Sequence, residues 1–143
     1  MSEAIENAVT QIAAVVAGVS GIRAAPTYPR ETENVDPFAV TYVTNGSLTA
    51  APIGNRKTLF DVAIDMLIPR TDLARDMARI LPYVDTIPAA LLGEVSGTGD
   101  KFTSTIETFR AVEFEFLPAV DYAGVQHIGY RFILRDIKIL VNL

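Results

Sequence analysis

Glu113 and Glu115 are the two residues of this chain best spaced to do chemistry. Two positions apart on an extended strand, they point the same way with backbones about 7 Å apart, close enough to share a cation or to act as an acid and base pair. They also alternate with Val112, Phe114 and Phe116, as a sheet with one wet face requires, and that structural reading is the stronger. Asp61 and Asp65 share a strand face too, but four residues place their backbones about 13 Å apart, too far to chelate one ion together. His127 is the only histidine and has no HxH or HExxH companion, so it reads as a loop or strand-end residue. Gly97-Thr98-Gly99-Asp100-Lys101 is followed by Phe102, where a phosphate loop needs Ser or Thr, and Ser96 lacks the flanking glycines of a nucleophile elbow. No catalytic residue, cofactor or metal ligand is nominated. A small α+β enzyme or ligand-binding domain would need Glu113, Glu115 and His127 to converge in a cleft.

The elements that must position these residues follow from periodicity. Ile5, Val9, Ile12, Val16 and Val19 recur at helical spacing, so Ser2 to Ala17 is an amphipathic helix with Ser2 as N-cap and Gly18 and Gly21 closing it. An extended segment through Ile22 and Ala24 leads into Pro26 to Pro37, a proline-bearing, charged stretch that reads as an exposed loop. Phe38 to Thr44 alternates as a strand, and Asn45-Gly46 predicts a hairpin turn into Ser47 to Ala51. Lys57 to Ile68 alternates as a half-buried antiparallel strand, with Phe60, Val62, Ile64, Met66 and Ile68 on its dry face. Thr71 is the expected cap of a helix whose apolar stripe is Leu73, Met77, Ile80, Leu81 and Val84, ending or kinking at Pro82. Asp72 with Arg75, and Asp76 with Arg79, can pair on its solvated side. Thr86 to Leu92 is a short second helical piece, and Glu94 to Lys101 a flexible loop. Thr103 to Leu117 predicts a long strand interrupted by Pro118, and Tyr122 to Gly124 turns the chain into a last strand, Gln126 to Val141, expected to run almost to Leu143 with both faces of its end buried. The fold class is α+β: a mixed, mainly antiparallel sheet packed against an N-terminal and a central helix.

With 143 residues and no internal repeat, residues 1–143 form one expected domain with one core. Half the residues are hydrophobic and only a fifth charged, which leaves apolar surface for a partner. The absence of cysteine excludes disulfides and thiolate sites. The longest apolar run, Ile12 to Val19, is too short to span a bilayer, and the N-terminus carries Glu3 and Glu6 where a secretion signal has basic residues. A net charge of -5 opposes tight nucleic-acid binding.

The order of elements resembles that of small tailed-phage tail terminator or tail completion proteins along nearly the whole chain. Its closest points are Phe60-Asp61-Val62-Ala63-Ile64-Asp65-Met66-Leu67-Ile68 followed by a helix, and the closing run from Gly129 to Val141. Members of that family form homohexameric rings that cap the finished tail tube and present it to the neck, without catalysis. The resemblance implies a virion protein assembled in the host cytoplasm, with copies of itself, a tail tube protein and a neck or head-completion protein as partners, and no membrane. A head-completion or neck adaptor protein is the nearest alternative. Six copies carry a formal charge of -30, which suits a wall past which DNA slides without binding tightly. Glu113 and Glu115 are candidates for that lumen; Arg30, Glu31, Glu33, Asp100 and Lys101, in the two long loops, are candidates for contacts with neighbours.

Overall fold

Strand alternation dominates the fold. The computed structural model describes residues 4–27, 36–50, 56–95, 106–122 and 124–139. In chain order its elements are α1 (Ala4–Ala17), β1 (Phe38–Ala50), β2 (Arg56–Pro69), α2 (Leu73–Ile80), α3 (Tyr83–Val95), β3 (Ile106–Thr108), β4 (Ala111–Tyr122) and β5 (Val125–Ile139). All strand pairs are antiparallel: β1 with β2, β2 with β5, and β5 with both β3 and β4. The fold is therefore α+β, as the sequence implied. β2 and β5 are central, and β3 and β4 lie along the same side of β5, joined through Phe109 and Arg110.

Phe60, Val62, Ile64, Met66 and Ile68 of β2 all sit in the core, together with Ile128, Phe132 and Leu134 of β5. Against this face α1 buries Ala8, Val9, Ile12, Val15 and Val16, Val19 follows it into the core, and α3 buries Ile87 and Leu91. A smaller apolar cluster of Phe38, Val40 and Leu67 forms on the opposite face. The segment after α1 runs beside β1: Ala24 bridges Phe38 in parallel, and the Ala39 and Thr41 N–H groups donate to the Ala24 and Pro26 carbonyls at 2.9 and 3.1 Å. The outer edge of β1 is thus partly covered, whereas no described strand pairs with the outer edge of β4.

Several local expectations are corrected. Asn45-Gly46 is no turn: β1 continues to Ala50 and pairs with β2, with a bulge between Val43 and Asn45. Gly46 is needed there for closeness, since a Cβ would lie 2.8 Å from that of Phe60 across the ladder. β2 is not half-buried, because Asp61 and Ala63 on its second face are buried as well. The strand from Thr103 breaks at Phe109 and Arg110, yet passes through Pro118, which sits in a bulge between Leu117 and Val120. The two-sided apolar end of β5 is a bulge as well. At Asp136, with φ 54°, one extra residue flips the alternation, so Ile137 and Ile139 join Phe132 and Leu134 in the same core.

α2 also differs from expectation. Its cap is Asp72, whose side chain accepts from the Arg75 N–H, and not Thr71. Its buried residues are Asp76 and Ile80, while Leu73, Met77 and Leu81 of the expected core stripe face solvent. Arg79 bypasses Asp76 and pairs with Asp36 at 2.6 Å. α3 spans Pro88 and continues through Glu94 to Val95. Ser2, most of the Pro26–Pro37 loop, Ser96 and the Gly97–Lys101 loop lie outside the described residues.

Candidate functional site

Across the sheet face opposite the helices, the acidic residues of β2 and β4 meet two arginines of β5. The register sets Asp65 opposite Arg131 and Arg131 opposite Glu115. Arg131 grips Asp65 with two bonds, Nε to Oδ1 at 2.8 Å and Nη2 to Oδ2 at 3.2 Å, and its Nη1 reaches Glu115 at 3.5 Å. From β1, the Tyr42 hydroxyl donates to Asp65 Oδ2 at 2.8 Å, completing a rung four strands wide. Burial, and then the bond to Asp65, push the Tyr42 hydroxyl up to about 12. The Arg131 guanidinium is held still further above its usual range, first by the Asp65 hydrogen bond.

A second rung runs parallel to the first. Arg135 donates from Nη1 to Asp61 Oδ2 at 2.9 Å and from Nε to Glu113 Oε1 at 2.8 Å. The other Asp61 oxygen accepts the Asp136 backbone N–H at 2.8 Å, so this carboxylate fastens the β5 bulge. Burial pushes the Asp61 carboxyl up, but the Asp136 N–H and Arg135 together outweigh it and hold it below the ordinary carboxylate range. Arg110 bonds the Asp136 side chain at 2.6 Å on the rim.

The predicted residues therefore separate. Glu113 and Glu115 do share a face, as expected, but each takes its own arginine. Asp61 and Asp65 likewise hold one arginine each and no common partner. His127 is buried at the far end of the same face, its ring 5.6 Å from those of Phe38 and Tyr122, with Nδ1 donating to the Val125 carbonyl at 2.8 Å. Four residues of β5 separate it from Arg131, about 13 Å of strand, so the three side chains required for an acid–histidine cleft do not converge. Among the described residues, no three His, Asp or Glu side chains gather as a metal would require. Arg30, Glu31, Glu33, Asp100 and Lys101 lie outside the described residues. Arg131 and Arg135 were missed, although one signal was present: their spacing of four matches that of Asp61 and Asp65.

Surface of another kind stands apart from these rungs. On the helix side of the sheet, Phe114 of β4 is 55% exposed and Phe116 is 37% exposed, their rings resting at 6.3 and 5.6 Å from that of Tyr130. On α2, Leu73, Met77 and Leu81 are 47%, 41% and 58% exposed and recur every four residues, one row along the helix. Large apolar side chains grouped in this way on a surface mark contact sites for other molecules. No protein-family model and no curated protein matches this sequence.

Proposed function

We propose that this chain is a structural phage protein that caps the end of the tail tube as a homohexameric ring and forms the joint to the neck. The observation that carries the reading is how the side chains are used. The acids best placed for chemistry, Asp61, Asp65, Glu113 and Glu115, are engaged by Arg131 and Arg135 in tying strands together, while large apolar side chains of α2 and β4 face outward. A sheet braced by cross-strand ion pairs with an apolar exterior serves assembly better than turnover. The order of elements, resembling tail terminator proteins, supplies the particular role. The net charge of -5 per copy suits a lumen that lets DNA pass.

Native mass spectrometry and negative-stain images of the purified chain, alone and mixed with tail tubes, test the proposal. Six-copy rings, free or at tube ends, are expected. A chain that stays monomeric in both settings, or that turns over a small compound and loses this on one substitution, overturns the reading.

A further inference from the structure

We infer that Asn45-Gly46 is a modification site, an asparagine whose deamidation is held back by the β1–β2 ladder and proceeds when β1 opens from Asn45 onward. An asparagine followed by glycine is the junction most prone to this reaction, because the glycine nitrogen carries no side chain to obstruct its approach to the neighbouring amide. The backbone nitrogen of Gly46 attacks Cγ of Asn45: an N–Cγ bond forms, the Cγ–Nδ2 bond breaks, and the side-chain nitrogen leaves as ammonia with the proton that the backbone nitrogen gives up. Water then opens the cyclic imide at either carbonyl. One opening yields aspartate, and the other yields isoaspartate, in which the main chain runs through Cβ and Cγ.

Both residues are restrained in the folded chain. Asn45 pairs with Asp61 and Gly46 with Phe60 in the ladder, and an extended backbone turns each peptide nitrogen away from the side chain of the residue before it. The Asn45 amide also donates to the Asp61 carboxylate, a second restraint on the group under attack. The fold needs the reactive junction where it stands, since a Cβ at position 46 would lie 2.8 Å from that of Phe60 and Asn45 supplies a donor to Asp61. The restraint is local. The segment after α1 covers the outer edge of β1 at Ala39 and Thr41, whereas residues 43–47 are all exposed around the bulge between Val43 and Asn45. Few buried side chains on a solvent-facing edge give this part of the strand a low free energy of opening. Conversion then makes the opening permanent. Aspartate replaces a donor to Asp61 with a like charge, and isoaspartate adds a backbone atom that shifts every later residue of β1 against β2.

The test follows the unaltered chain in mildly alkaline buffer across a urea series. Conversion is read from the mass gain of the proteolytic fragment that holds Asn45 and from its isoaspartate content, measured with an isoaspartyl methyltransferase. The rate in native buffer is expected to be at least roughly tenfold below that of the urea-unfolded chain, since the reaction draws only on the open population. Urea too dilute to change the circular dichroism should already raise the rate, because this part of β1 opens before the sheet is lost. Equal rates in folded and unfolded chain, or a rate that rises only with global unfolding, overturn the local gate. A fragment that stays unconverted in the unfolded chain overturns the site. Asn45→Asp, made directly, should unfold at lower urea than the parent, and an equal or higher midpoint overturns the permanence of the opening.

Discussion

Asp61 meets two demands with one carboxylate: Oδ1 satisfies the backbone N–H of Asp136 at the β5 bulge, and Oδ2 neutralises Arg135. Removing it leaves a backbone donor without its partner and Arg135 with only the exposed Glu113. Asp61→Ala is therefore expected to cost about 2–3 kcal/mol at neutral pH in urea unfolding. The pH dependence has a definite sign. Because the carboxyl is held below its usual value of 3.8 when folded, its contribution is complete above that pH and is lost as acid protonates the folded group. The stability curves of parent and variant should converge below about pH 4, since the parent then loses what the variant never had. A gap of equal size at pH 7 and pH 2.5 would mean that packing, not the ionised carboxylate, accounts for the loss. This role was hidden from the sequence because the partner lies 74 positions away and the bulge that brings them together depends on a single left-handed residue, Asp136. Equal spacing within the two pairs was the only trace.

At the scale of elements, periodicity located α1 and the strands well, because each places a row of large apolar side chains on one side. It failed where a local pattern had two physical uses. Asn45-Gly46 is a favourable hairpin turn, but a glycine also permits close approach to Phe60, and the long β1–β2 ladder makes the second use prevail. The apolar row of α2 was assigned to the core because helices usually bury such a row, whereas here the buried positions are Asp76 and Ile80. Two substitutions measure that difference. Gly129 lies between β2 and β4 in the register, and a Cβ there would overlap the Met66 carbonyl oxygen. Gly129→Ala should cost about 3 kcal/mol or more by urea unfolding, because the sheet has no freedom to open at its centre. Met77→Glu, on the outward row of α2, should change the stability of the single chain by no more than about 0.5 kcal/mol. A large loss from Met77→Glu would return that row to the core.

For the whole molecule, the two sheet faces have different uses: one buries the helices, and the other binds its strands together with charge. Arg131 and Arg135 are both consumed by carboxylates, and Arg79, Arg110 and Lys138 also carry acidic partners. Among the described residues, these five basic side chains are thus neutralised by the fold itself, on a chain whose net charge is already -5. Duplex DNA is bound chiefly through cations that displace its counterions, so a surface of this kind has little to offer it. In fluorescence anisotropy at about 0.15 M salt, the protein should give no saturable binding to a short duplex at concentrations up to roughly 100 μM, the weak end of the usual range for non-specific binding. Lowering the salt should not bring out the steep rise in affinity that a phosphate-binding surface produces. Binding tighter than micromolar, with a salt slope corresponding to several phosphate contacts, would contradict a lumen that DNA merely passes. It would place a basic surface among the residues outside the described ones, where Arg30 and Lys101 lie.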